Sequence, residues 1–173
     1  VSDNRGGCLL LFKSQRGEAG FANLYLQHLN RDGQPQWAAS AIPVCVRPAH
    51  QNHPGMVYDT QTGIYICWEE ARTGGTGTMI WVQRLNMRGE PLWPAQGLAV
   101  SGSRLGQAKP KLITDREGGV YILWEEHVSS LFGRDIYGQR LDSTGRRVWG
   151  EAGKPIASGV GDQQNFHLAF DST

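Results

Sequence analysis

The 173-residue sequence predicts an all-β chain: a β-propeller segment of three four-stranded blades, either part of a longer propeller or half of a six-bladed ring. Three observations carry that expectation. One pattern recurs every 56 residues without a gap. Each unit alternates short apolar runs with turns rich in Gly, Asn and Asp, and no segment shows the 3.6-residue period of an amphipathic helix.

The period is read column by column. Gly7, Gly63 and Gly119 align, followed by Gln27, Gln83 and Gln139, and by Leu29, Leu85 and Leu141. Gly33, Gly89 and Gly145 come next, then Trp37, Trp93 and Trp149, and Gln51, Gln107 and Gln163. Asp3, Asp59, Asp115 and Asp171 mark the period four times. The units fall at about residues 3–58, 59–114 and 115–170.

The third unit shows what each piece builds. Residues 109–114 predict a short strand, and Asp115-Arg116-Glu117-Gly118-Gly119 is a turn leading into the apolar strand Val120-Tyr121-Ile122-Leu123-Trp124. A polar connection precedes a third strand at 135–141. The turn Asp142-Ser143-Thr144-Gly145 then sends the chain through Val148 and Trp149 to a fourth strand near 154–157. That turn recurs as Asn30-Arg31-Asp32-Gly33 and Asn86-Met87-Arg88-Gly89. A short Asn or Asp side chain accepts from its own turn, and Gly takes the positive φ that follows. Four strands in 56 residues are too few for a β-sandwich, which needs about 100 residues per domain.

Bulk properties exclude more than they name. Seventeen basic and sixteen acidic residues are mixed along the chain, so no basic stripe points to nucleic acid. No run approaches the roughly 18 apolar residues of a spanning helix. The chain opens Val1-Ser2-Asp3 without a leader-like segment, so export is not readable from that end. Cys8, Cys45 and Cys67 lack C-x-x-C spacing, and their counterparts one or two periods away are small or apolar. Buried free thiols are therefore expected, with a disulfide from Cys8 to Cys67 or Cys45 as the other reading.

In the third copy, G-G-x-x-x-x-W-E-E from Gly118 to Glu126, D-I-Y-x-Q-R-L-D from Asp135 to Asp142, and G-x-x-x-W from Gly145 to Trp149 resemble blade repeats of large secreted or surface proteins of bacteria. The resemblance covers essentially the whole chain. It is least close in the first copy, where Phe12-Lys13-Ser14 replaces Trp-Glu-Glu and His28 replaces Arg. It implies a propeller outside the cytoplasm, and it implies no activity. The turns are also similar to the Asp-box hairpin of sialidase-type propellers, S-x-D-x-G-x-x-W. Here, however, Asp or Asn precedes Gly by three positions, Trp follows Gly by four and no Ser leads, so the turn is analogous only.

Most candidate chemistry sits in repeated columns, which argues for architecture. Glu69-Glu70 and Glu125-Glu126 offer general acid and base carboxylates, yet occupy one place in two units; the series breaks at Lys13-Ser14. Gln27, Gln83 and Gln139 are expected to satisfy backbone groups. Asp59, Asp115 and Asp171 are expected to cap their own turns instead of holding calcium. Trp37, Trp93 and Trp149 are expected to pack between blades instead of lining a sugar site. His50 and His53 are unrepeated and form the weak candidate for a metal pair, without a third ligand in view. No cofactor is expected.

The divergent stretches are 15–22, 71–78 and 127–134, with 47–52, 102–106 and 159–162. Propeller topology puts them on one face. Loops on a rigid scaffold are where binding is usually built, and Phe21, Arg72, His127, Phe132 and Arg134 are the side chains there best suited to an interface. Residues 164–171 are expected to form a strand completing a neighbouring blade, against residues 7–12 of a second copy or an unseen blade. The partners expected are another protein, the remaining blades of a longer chain, or a head-to-tail copy. The leading functional expectation is a non-enzymatic, extracytoplasmic scaffold or interaction module. The alternative is a carbohydrate-binding or glycan-hydrolysing propeller whose catalytic residues lie in blades outside this chain.

Overall fold

Every apolar run bounded by turn residues becomes a strand. The structure, a computed structural model, describes residues 1–15, 20–37, 40–72, 77–129 and 133–169. The described strands make three antiparallel sheets. The first contains β1 (Cys8–Ser14), β2 (Asn23–Leu29) and β3 (Ile42–Cys45) in that order. The second is β4 (Gln51–Asp59), β5 (Gly63–Ala71), β6 (Thr78–Leu85) and β7 (Leu98–Ala99). The third is β8 (Gly106–Thr114), β9 (Val120–Ser129), β10 (Gly133–Leu141) and β11 (Lys154–Ala157). No helix among the described residues is long and apolar enough to cross a membrane.

The sheets stack face to face, which explains the continuous apolar runs. Along β5, Ile64, Ile66 and Trp68 pack into a cluster with Leu9, Leu24, Leu26 and Val44 of the first sheet. The alternate residues Tyr65 and Cys67 pack into a second cluster with Val120, Ile122 and Trp124 of the third. Since successive strand side chains point to opposite faces, a strand with a sheet on each side must be apolar at every position. The outer strands obey the same rule in reverse. Leu9 is buried, whereas Leu10 is 47 % exposed, because nothing described covers that face of the first sheet.

The repeated glycines and turn residues have local causes. A Cβ at Gly63 would strike the carbonyl oxygen of Leu85, and one at Gly119 that of Leu141, so the backbones of β5 with β6 and β9 with β10 approach only over glycine. The Asp115 carboxylate accepts the amides of Glu117 at 2.8 Å and Gly119 at 2.7 Å, and Asp59 accepts those of Gln61 and Thr62. In the turn after β10, Gly145 N donates to Asp142 O at 2.9 Å and Asp142 Oδ1 accepts the amides of Thr144 and Arg146.

Several expectations require correction. The first sheet has three strands instead of four, because only Val1–Asp3 precede its first turn and their pairing reduces to a bridge between Ser2 and Cys8. The sheets do not close into a ring among the described residues. They are also offset from the sequence units: β4, at the end of the first unit, is the edge strand of the second sheet. Cys45 and Cys67 are buried free thiols, pushed up to about 11 and about 12 by burial, while Cys8 is exposed. Its counterparts Ile64 and Val120 are covered by a preceding sheet, and no such sheet covers Cys8 among the described residues. Residues 162–169 pair with no described strand, and the strand expected over 164–171 requires a partner outside the chain.

The stacking order predicts unequal costs. Ile122→Ala should lower stability by about 2–5 kcal/mol in urea unfolding, whereas Leu10→Ala should change it by no more than about 0.5 kcal/mol. Similar losses at both positions would contradict the packing described.

Candidate functional site

The divergent connections meet at one end of the stacked sheets. Arg72, just after β5, donates from Nη2 to the carbonyls of Ser103 at 2.9 Å and Leu105 at 3.1 Å, in the link from β7 to β8. Phe21 and His50 pack edge to face with ring centroids 5.5 Å apart. Gln163 N donates to Arg134 O at 2.7 Å, repeating the bond of Gln51 N to Ala22 O at 2.9 Å. The Asp- and Asn-capped turns lie at the opposite end, beside a cavity of about 400 Å³ lined by Asn4, Tyr58, Asp59, Gln61 and Arg116.

A continuous polar belt crosses the loop end of the edge strands β4 and β8. Lys13 Nζ donates to Asn52 Oδ1 at 2.7 Å, and the neighbouring His53 places Nδ1 3.0 Å from Glu69 Oε2. The other oxygen of Glu69 accepts the backbone amide of Lys109 at 2.5 Å. Lys109 Nζ lies 3.1 Å from Glu125 Oε1, and Arg134 Nη1 lies 3.2 Å from Glu125 Oε2. Asn165 N also donates to Glu125, at 3.5 Å.

A shared backbone feature positions this belt. Both β4 and β8 shift register at the same place, and His53, Lys109 and Asn165 all have positive φ, at 45°, 52° and 60°. A bulge of this kind turns an edge strand and re-aims its side chain. Glu69 accepts the bulge amide of Lys109 from the preceding sheet, and Glu125 accepts the amide of Asn165 one period later. In the first sheet Lys13 occupies the equivalent position, one period before Glu69, and reaches Asn52 instead.

The second carboxylate of each pair looks elsewhere. Glu70 pairs with Arg47 at 3.0 Å, and burial pushes its carboxyl up against the opposing pull of that guanidinium. Glu126 accepts from Ser103 Oγ, Gln107 Nε2 and Trp124 Nε1. All four glutamates therefore hold backbone or connection groups. None faces an open cleft as half of an acid and base pair.

The other repeated residues join sheets or turns. Trp37 Nε1 donates to Met87 O and Trp93 Nε1 to Ser143 O, each at 3.2 Å, linking one sheet's turn to the next. Trp149 is half-buried and lies against Tyr121. Gln83 and Gln139 donate to the carbonyls of Pro94 and Gly150, and Gln27 Oε1 accepts the amide of His28. Gln51 and Gln107 accept the amides of Leu24 and Ile80 across the sheet boundary.

The residues singled out from sequence divide. Arg134 belongs to the belt. Phe21 and Arg72 fasten connections to each other, and His127 is exposed on β9. Phe132 and Asp171 lie outside the described residues. His50 Nδ1 accepts the amide of Ala22 at 3.3 Å while His53 lies 3.0 Å from Glu69, so the two imidazoles have different partners. No group of three His, Cys, Asp or Glu able to hold a metal occurs among the described residues. The bulge residue Lys109 and its counterpart Asn165 were missed. The nearest sequence signal is the repeated column Gln51, Gln107 and Gln163 two positions earlier, which fixes the register of the column His53, Lys109 and Asn165.

No family model and no curated protein matches the chain. Among solved structures, an endo-arabinase from Bacteroides thetaiotaomicron VPI-5482 aligns at 16% identity and TM-score 0.47, over 79% of this chain and 52% of that one. A thermostable family-43 glycoside hydrolase aligns at 12% identity and TM-score 0.51, over 90% of this chain and 58% of that one. The chain spans a little over half the length of each. The second likeness supports a propeller-like all-β fold. It also displaces the leading expectation of a non-enzymatic scaffold, since the structure sharing this fold is a glycoside hydrolase.

The belt predicts a specific role for Glu69. Glu69→Ala should cost about 1–3 kcal/mol by leaving the Lys109 amide unpaired and should speed hydrogen exchange at that amide. Glu69→Gln, which keeps an acceptor, should restore most of both. Unchanged exchange in the alanine variant would remove the glutamate from this role.

Proposed function

We propose that the chain is a segment of a carbohydrate-active β-propeller working outside the cytoplasm. Its loop end contacts the glycan, and the carboxylates that cleave the glycosidic bond stand in blades beyond these three. The observation that carries this reading is the likeness of 90% of the chain to a family-43 glycoside hydrolase, of which it spans 58%. The resemblance of the repeats to blades of secreted and surface proteins supports the compartment.

The division of labour rests on the carboxylates. Glycoside hydrolysis generally needs two carboxyl groups flanking the scissile bond, about 5–9.5 Å apart. Glu69, Glu70, Glu125 and Glu126 are buried and already engaged by amides, cations or an indole. They build the wall, and the reacting pair comes from elsewhere in the ring.

Open contacts at the third sheet fit additional blades. Trp93 donates to the next sheet's turn, whereas Trp149 has no such turn to meet among the described residues. Gln107 Oε1 accepts from the preceding sheet, whereas the Oε1 of Gln163 is buried without a partner. Since a propeller closes with about four to eight blades, the remaining blades of a longer protein supply the missing neighbours.

The expected outcome is binding without cleavage. The 173-residue chain should be retarded in gels containing its polysaccharide, and should release no reducing sugar from it. Failure to bind any neutral or acidic polysaccharide would overturn the reading. Release of reducing sugar by the chain alone would move the catalytic pair into these three sheets.

A further inference from the structure

We infer that the belt at the loop end selects an anionic, uronate-bearing glycan, with Lys13, His53, Lys109 and Arg134 as the contacting groups. The inference rests on the glycan reading above and narrows it to a substrate class.

The charges at this end are layered. The Glu69 and Glu125 side chains are 7% and 1% exposed, while those of His53, Lys109 and Arg134 are 68%, 46% and 43% exposed. Lys13 is exposed as well. A ligand arriving from solvent therefore meets ammonium, guanidinium and imidazole groups, with the carboxylates sealed beneath them. Glu126 is sealed in the same way by Ser103, Gln107 and Trp124, so the cationic character of the belt lies in its order of exposure and not in its net charge. Asp162 accepts the Arg134 amide through Oδ1 and is bound to backbone. Glu70 is closed by Arg47 at 3.0 Å.

The asymmetry of the belt points the same way. Where the second and third sheets present Glu69 and Glu125 toward the next bulge, the first presents Lys13. That exchange replaces a negative group by a positive one at a position the architecture otherwise fills with an acceptor. The bulge residues add a second independent feature. His53 and Lys109 keep full side chains at positive φ, where glycine would sit without strain. Strained backbone retained with a side chain marks a position worth testing for function. Ammonium and guanidinium groups carried by β1, β8 and β10 across the loop end suit the carboxylates that recur along a polyuronate, by charge-assisted hydrogen bonds.

The test uses polygalacturonate and its fully methyl-esterified form, which share a backbone and differ in charge, with polyglutamate as a polyanion that is not a sugar. Calorimetric titration of the chain at low salt should show polygalacturonate binding at least about tenfold more tightly than the ester. The margin should shrink in high salt, because exposed charges are screened. Lys13→Glu, which installs the residue type of the other two sheets, should abolish the preference while leaving the urea midpoint unchanged. Lys109→Gln should reduce it. Equal or tighter binding of the ester, or of a neutral polysaccharide alone, would overturn the inference and leave the glycan reading standing. Binding of polyglutamate as tight as that of polygalacturonate would reduce the belt to a general polyanion patch and overturn it. Binding of no polysaccharide at all would overturn both.

Discussion

Burial of one sheet's face by the next governs this molecule. The second sheet is covered on both sides, and its central strand β5 accordingly reads Gly-Ile-Tyr-Ile-Cys-Trp-Glu-Glu-Ala, buried at every position but the last. Each fully buried large apolar side chain contributes about 1.5–3 kcal/mol, and the two clusters flanking β5 contain most of the apolar core described. Hydrogen bonds then fix the spacing that the apolar contacts favour. Indole-to-carbonyl links from Trp37 and Trp93 act at the turn end, and glutamine-to-amide links from Gln51 and Gln107 act at the loop end. A repeat that depends on its neighbours in this way is unlike a self-sufficient domain, since each unit alone leaves an apolar face uncovered.

The same dependence explains the carboxylates. A bulge in an edge strand leaves a backbone amide without a ladder partner, and a buried amide without an acceptor is costly. Glu69 provides that acceptor for Lys109 from the adjacent sheet. Nearby cations then offset the cost of burying an ionised group. What looks in sequence like a pair of acids is thus a backbone acceptor at Glu69 or Glu125 followed by a clamp for the connecting loops at Glu70 or Glu126. The glycan-directed chemistry consequently falls to the groups lying above them.

Much of the strand content was legible, because period, turn residues and apolar runs all express local rules. Asp115 and Asp142 were readable as turn caps from spacing alone, and Gly63 and Gly119 as glycine-requiring, since these depend on contacts within one hairpin. The bulges were not readable. A positive φ at Lys109 has no local sequence mark, and the modest tolerance of His for that region does not single out His53; the surrounding sheets impose both. Exposure was equally hidden. Cys8 and Leu10 share columns with buried residues, and only the stacking order shows that their face is uncovered. His50, just before β4, and His53, at its bulge, likewise turn to different partners, which their spacing in sequence does not reveal.

Repetition also separates what holds the fold from what a ligand would meet. Columns identical in every unit, such as Gln27, Gln83 and Gln139, lie where a side chain must answer a backbone group that recurs with the architecture. A column that keeps its backbone geometry while changing its side chain carries no such duty. His53, Lys109 and Asn165 share one φ region and differ in charge, size and hydrogen-bonding capacity. Glycine would satisfy the backbone at all three, at lower conformational strain in the folded state. His53 and Lys109 offset the buried Glu69 and Glu125 and, with side chains 68% and 46% exposed, also present donors for contact with something outside the protein. The replacement of an acceptor by Lys13 beside them gives that contact its sign.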